Sequence, residues 1–207
     1  EPVAPCGASG DPVPERRVLL HAGLHKTGTT SLQVALSRSE ACVYPEVEDS
    51  GPGHARAAWR AIGIYGEQRD SRALVELVER HHGDREDLPL PIIAESCVHA
   101  IFRSHGAEAF RSLAESVPTE LVVTVRSDGR RLASLAQELI KHGAHVEFSL
   151  YWECALQSEL MAENLRLRLF SLSPWQHLHV IHSNEHDHLA VFAAFSKLLG
   201  GVVQPVP

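Results

Sequence analysis

The segment His21-Ala-Gly-Leu-His-Lys-Thr-Gly-Thr-Thr-Ser31 combines glycines, a lysine and a run of hydroxyls at a spacing suited to holding phosphate. It follows the apolar run Val18-Leu19-Leu20 and precedes Leu32, Ala35 and Leu36, so it reads as strand, turn and helix. Main-chain N–H groups around Gly28 and at the start of the next helix favour an anion. Those donors lack intrahelical acceptors, and the helix dipole is positive there. A loop for nucleoside triphosphates has glycine, four residues, then Gly-Lys-Ser/Thr. Gly23 and Gly28 stand at that interval, but Thr29 holds the lysine place and the cation sits earlier, at Lys26.

Two further segments carry residues that could do chemistry. Val122-Val123-Thr124-Val125-Arg126 is an apolar strand ending in arginine, followed by Leu132, Leu135, Ala136, Leu139 and Ile140 at helical spacing, with Ser134 in the same helix. A guanidinium can grip a phosphate as a fork while a serine hydroxyl donates one more hydrogen bond. Leu90-Pro91-Ile92-Ile93-Ala94-Glu95 is short, nearly all apolar and ends abruptly in a carboxylate, as a central parallel strand would at the open carboxyl edge of its sheet.

The run His25-Lys26-Thr27-Gly28-Thr29-Thr30-Ser31 resembles the 5′-phosphosulfate loop of sulfotransferases that use 3′-phosphoadenosine 5′-phosphosulfate (PAPS). Arg126 and Ser134, eight positions apart, are similar to the same family's 3′-phosphate motif, and the two motifs occur in the family's order. The resemblance implies that His25, Lys26, Thr27, Gly28, Thr29 and Thr30 hold the 5′-phosphate end of PAPS, and that Arg126 with Ser134 distinguishes PAPS from ATP. It implies that Lys26 stabilises the oxygen bridging sulfur to the departing phosphate, and that Glu95 is the general base. It implies no divalent metal. His21, His54 and His99 are rival bases, because imidazole titrates near neutrality. A Tyr-Pro step, here Tyr44-Pro45, followed by a glycine-rich turn and His54 is also common in this subgroup.

The resemblance is uneven. Arg126-Ser127-Asp128-Gly129 stands where the family usually has Arg-Asp-Pro, and the C-terminal closing loop of many relatives is absent, which leaves Arg130, Arg131 or Lys141 to close over the cofactor.

These segments need a scaffold, and the chain has the length for one. With 207 residues, 44% of them hydrophobic, it can bury a full core, and no break in composition marks a second one. Residues 1–16 read as a flexible, proline- and glycine-rich lead-in and residues 17–207 as a single domain. Strands are expected at residues 17–22, 42–44, 89–94 and 175–181, with another ending at Arg126. Helices alternate with them: residues 29–39, one through Leu74, Leu77 and Val78, one through Phe110 and Leu113 stopped by Pro118, one ending near Gly143, one or two through Phe170, and a last one. That last helix is expected to share a face among Leu189, Phe192, Phe195 and Leu199 and to stop at Gly200. The alternation predicts an α/β three-layer sandwich around a central, mostly parallel five-stranded sheet, similar to that of phosphate-loop NTPases.

The net charge of −7 and the lack of a basic run argue against nucleic acid. No stretch is apolar enough to span a bilayer. Cys6, Cys42, Cys97 and Cys154 are too widely spaced for a metal knuckle and read as ordinary thiols. His179, His182, His186 and His188 straddle a strand, its edge and a helix cap, which disfavours zinc, and His81-His82 reads as part of a solvated loop. The sequence starts at Glu1 without methionine, as after processing or trimming. The expectation is a cytoplasmic bacterial enzyme that moves a sulfuryl group from PAPS to a hydroxyl, or less readily an amine, of a carbohydrate, lipid or small-molecule acceptor. A small-molecule kinase and a catalytically silent nucleotide-binding module are the alternatives. The acceptor and the oligomeric state have no legible code.

Overall fold

The computed structural model describes residues 16–23, 29–45, 53–64, 66–83, 85, 87–94, 106–125, 128–141, 143, 145, 147, 149–150, 175–182 and 189–205. Among them the order is β1 (Val18–His21), α1 (Thr29–Leu36), α2 (Ala55–Ile62), α3 (Ala73–His82), β2 (Leu90–Ile93), α4 (Gly106–Ser116), β3 (Thr119–Val125), α5 (Asp128–Lys141), β4 (His177–His182) and α6 (Leu189–Leu199). The strands form one sheet in the order β2-β1-β3-β4, and all three pairings are parallel.

Alternation along the strands sends side chains to two different layers. Val18 and Leu20 of β1, Leu90 and Ile92 of β2, and Leu121 and Val123 of β3 pack with Ala58 and Ile62 of α2, Leu74 and Val78 of α3, and Phe110 and Leu113 of α4. Leu19, Ile93, Val122 and Ile181 face the other way, onto Leu32 and Leu36 of α1 and Phe192, Phe195 and Leu199 of α6. An apolar run such as Val-Leu-Leu is what a strand covered on both faces requires, and β1 is fully buried along its length. The result is helix, sheet, helix, as the sequence pattern predicts.

Among the described residues the sheet has four strands, not five. Residues 42–44 run beside β2 without forming a strand, and meet it through one main-chain bond, from the Val43 N–H to the Pro89 carbonyl at 3.0 Å. The reason lies in the outer edge of β2. Leu90 and Ala94 donate their N–H groups inward, to the Arg17 and His21 carbonyls of the β1 side, so the odd-numbered residues present their main-chain groups outward. Pro91 brings no N–H to that edge, and the Ile93 N–H is already bonded to the His54 ring. A ladder there would lack its donors.

Other boundaries hold. Gly200, with φ of 70°, follows Leu199 and ends α6 in the left-handed region that glycine adopts readily. Within α6, however, Leu189 is exposed, and Val191 takes the buried place beside Phe192 and Phe195. His81 and His82 are the last turn of α3 and not part of a solvated loop. His82 is buried with Nε2 2.9 Å from the Leu88 carbonyl, and its own carbonyl accepts from the Arg85 N–H at 2.9 Å.

The amino end of the sheet holds a buried ionic cluster. Glu120, the second residue of β3, is 3% exposed and accepts from Arg17 Nη1 at 2.6 Å and from His179 Nε2 of β4 at 2.5 Å. Arg17 also donates to the Leu198 carbonyl at the end of α6. Burial alone would raise the Glu120 pKa, but the bonds from His179 and Arg17 and the arginine charge outweigh it and hold the carboxyl below its ordinary value. One carboxylate thus ties β1, β3, β4 and, through Arg17, α6.

Candidate functional site

In the order β2-β1-β3-β4, the chain leaves β1 toward β2 on one side and leaves β3 toward β4 on the other. The carboxyl ends of β1 and β3 therefore flank the point where the connections diverge, which is where open parallel sheets form a crevice for ligands. The two strands stay bonded up to that edge. Ala22 N–H donates to the Val122 carbonyl at 3.0 Å, and Thr124 N–H to the Gly23 carbonyl at 3.0 Å. On the other flank Ala94 N–H donates to the His21 carbonyl at 3.1 Å, so the end of β2 is level with the end of β1.

The chain leaves β1 through Gly23, whose φ of 94° is strained for a side chain with a Cβ and free for glycine. Six residues later α1 starts at Thr29, with Thr30 exposed in its first turn. No acidic residue stands in that turn, so the positive end of the helix is not offset from within. Strand, glycine exit and helix start thus fall where the spacing of Gly23, Gly28 and Thr29 predicts them. Ser134 is half-buried in the second turn of α5, which begins three residues after Val125 ends β3. His25, Lys26, Thr27, Gly28, Glu95, His99 and Arg126 lie outside the described residues. Sequence alone places the first four between Gly23 and α1, Glu95 directly after Ala94, and Arg126 directly after Val125.

Two histidines at this edge are buried and engaged. His21 Nε2 lies 2.8 Å from Thr124 Oγ1, joining the last residue of β1 to the end of β3, and its ring packs edge-on against Phe195 at 5.8 Å between centroids. His54, just before α2, accepts the Ile93 N–H on Nδ1 at 2.9 Å, which leaves the proton on Nε2 to be donated to the Pro45 carbonyl at 3.2 Å. Its ring is 4.8 Å from that of Tyr44, and its own N–H donates to the Ile93 carbonyl at 2.8 Å. Burial pushes its pKa down to about 4; the bond to Pro45 opposes that shift and the charge of His81 adds to it. A ring whose one lone pair is already bonded to a main-chain N–H cannot collect a proton from a substrate. Sequence reasoning read His54 as a rival base from residue type alone. The signal that could have given its role is Pro45, which takes the chain out of the extended run nine residues earlier.

Near the same segment the Cys42 thiol is buried and pushed up to about 12 by desolvation, and the Tyr44 hydroxyl is raised by burial and by Cys42. Neither ionises near neutral pH. Among the described residues there is no group of three or more His, Cys, Asp or Glu side chains that could hold a metal ion.

A parallel sheet covered by helices on both faces, with a glycine exit from β1 and a helix opening just beyond it, defines a three-layer α/β fold. Among solved structures, a sulfotransferase from Alicyclobacillus acidocaldarius matches it with a TM-score of 0.59, over 93% of this chain and 84% of that one. The two are 17% identical, so they share a sulfotransferase-like fold at a distance where little but architecture persists. No protein-family model and no curated protein matches the chain.

Proposed function

We propose that this chain is a PAPS-dependent sulfotransferase acting on a hydroxyl, or less readily an amine, of a carbohydrate, lipid or small molecule. The observation that carries this reading is the adjacency of β1 and β3 at the switch point. The segments bearing the two phosphate-type motifs, residues 23–30 and 126–134, leave neighbouring strand ends of a sulfotransferase-like fold.

In the proposed reaction His25 to Thr30 cradle the 5′-phosphate against the start of α1, and Arg126 and Ser134 take the 3′-phosphate. The acceptor oxygen attacks sulfur in line, a new sulfur–oxygen bond forms, and the bond to the bridging phosphate oxygen breaks. The products are the sulfate ester and 3′-phosphoadenosine 5′-phosphate. Negative charge grows on the bridging oxygen, where Lys26 offsets it. Glu95, directly after Ala94 at the level end of β2, takes the acceptor proton. The reaction as proposed routes no step through a metal ion. Closure over the nucleotide is assigned to Arg130, Arg131 or Lys141.

The test is a thermal-shift comparison of 3′-phosphoadenosine 5′-phosphate with ADP and ATP, since a ligand that binds only the folded chain raises its melting temperature in proportion to its affinity. The 3′-phosphorylated nucleotide should stabilise most, and Arg126→Ala should abolish its advantage over ADP. Equal shifts from all three, or a preference for ATP that needs magnesium, would put the kinase reading in its place.

A further inference from the structure

Ile93, the last residue of β2, directs both main-chain groups toward the free edge of the sheet, and one residue satisfies both. His54 N–H donates to the Ile93 carbonyl at 2.8 Å, and the Ile93 N–H donates to His54 Nδ1 at 2.9 Å. The ring is held from behind. Nε2–H donates to the Pro45 carbonyl, the Tyr44 ring packs against it at a tilt of 47°, and only 2% of the residue is exposed. The His54 carbonyl in turn accepts from Ala58 N–H at 3.3 Å in the first turn of α2. His54 thus supplies, at one point, the pairing that a fifth strand would have given to the end of β2.

We propose that His54 is a positioning residue for catalysis: by clamping Ile93 it fixes the point from which the chain delivers Glu95 two residues later. This rests on the assignment of Glu95 as the base. The inner edge of β2 is held by the β1 ladder through Ala94, and the outer edge is held at Ile93 by the two bonds to His54. Glu95 is covalently two residues beyond that clamp, so His54 secures the end of the strand from which it departs. Misplacement of a reacting group by about 1 Å costs on the order of 100-fold in rate. The imidazole suits the task because its acceptor nitrogen stays unprotonated at neutral pH in a site this buried.

Two conservative variants separate the ring's two bonds. His54→Asn puts a carbonyl oxygen near the position of Nδ1 and can keep the Ile93 bond; His54→Gln reaches toward Pro45 and loses it. The readouts are cleavage of PAPS with water as acceptor, the affinity for 3′-phosphoadenosine 5′-phosphate, the melting temperature, and amide hydrogen exchange at Ile93. The expected result is a fall in kcat of roughly 10–100-fold for His54→Gln, with unchanged nucleotide affinity and faster exchange at Ile93, and recovery to within about threefold for His54→Asn. In a Glu95→Gln background the His54→Gln change should have little further effect, because the group it positions is already disabled. A full His54→Gln loss in that background, or equal loss in the Asn and Gln variants, overturns the inference while leaving Glu95 as base. Normal cleavage by Glu95→Gln alone overturns the base assignment and the inference with it. If His54→Gln is too unstable to assay, the Asn variant decides: near-normal kcat with protected Ile93 exchange supports the clamp, and a large loss despite that protection refutes it.

Discussion

Replacing Glu120 with glutamine should be among the most damaging conservative changes outside the proposed site. The carboxylate accepts on both oxygens, from Arg17 Nη1 at 2.6 Å and His179 Nε2 at 2.5 Å. Glutamine has one acceptor oxygen and one NH₂ group, so one of the two donors must face another donor. The Arg17 side chain, 11% exposed, also loses its counter-charge, while the His179 side chain is 30% exposed and can turn to water. Removing one partner of a buried ion pair costs about 3–5 kcal/mol, because the remaining charge stays desolvated. At about 2–4 °C per kcal/mol for a chain of this length, the melting temperature should fall by about 6–20 °C. The sign with pH is also fixed. The folded pKa of Glu120 lies below its unfolded value, so its contribution is complete above that unfolded value and is lost as pH falls through the folded one. Urea unfolding at pH 7 of Glu120→Gln, Glu120→Leu, Arg17→Met and the double variant Arg17→Met/Glu120→Leu completes the test. The double variant removes both buried charges and should lose much less than the sum of the single changes. Nucleotide affinity should be unchanged, since Glu120 lies five residues, about 16 Å, from the carboxyl end of β3. A Glu120→Gln protein within about 1 kcal/mol of the parent, or strict additivity of the pair, would refute the reasoning.

His54 predicts an acid-side loss of stability of its own: its pKa falls from an ordinary 6.5 to about 4 on folding, so the unfolded chain takes up a proton that the folded chain refuses. Between about pH 6.5 and 4 stability should drop by on the order of 3 kcal/mol, and urea unfolding across that range should show a shallower slope in His54→Asn; an unchanged slope would remove the ring as its source. Lys26→Ala should lower PAPS turnover by roughly 10²–10³-fold while weakening nucleotide binding far less, since its charge matters most as the leaving oxygen becomes anionic; losses confined to binding would make it a simple phosphate ligand. Turnover of the unchanged protein should persist in EDTA, and a metal requirement would favour the kinase. Glu95→Gln should reduce turnover by roughly 10²–10⁴-fold with nucleotide affinity preserved.

Apolar runs and helical spacing identified β1, β2, β3, β4 and the helices α1, α3, α4, α5 and α6 because each is a local property of the chain, but they did not identify α2 (Ala55–Ile62), whose stretch reads as loop. Val18-Leu19-Leu20 can be a doubly covered strand wherever it sits, and Leu132 with Ala136 marks a helix face without knowledge of its partner. Residues 42–44 have the same local credentials and still do not form a strand, since pairing needs donors on β2 that Pro91 lacks and His54 consumes. Leu189 falls at the right helical interval but beyond the reach of the sheet. Glu120 drew no notice in the sequence and was not legible as the hub of a cluster, because Arg17 and His179 are 103 and 59 residues away.

What the sequence determined by itself was the inventory and order of the chemistry: a glycine exit with Lys26 and hydroxyls, Glu95 directly after an apolar run, and Arg126 eight residues before Ser134. Covalent spacing fixes those relations before anything folds. Tertiary structure decided which strand ends become neighbours, since parallel pairing of β1 with β2 and β3 joins segments separated by about 70 and 100 residues of chain. It also decided what each histidine can do. Residue type gives His54 a titratable ring, but burial and the donor it meets set its charge and spend its lone pair, and both come from groups that only packing brings within 3 Å.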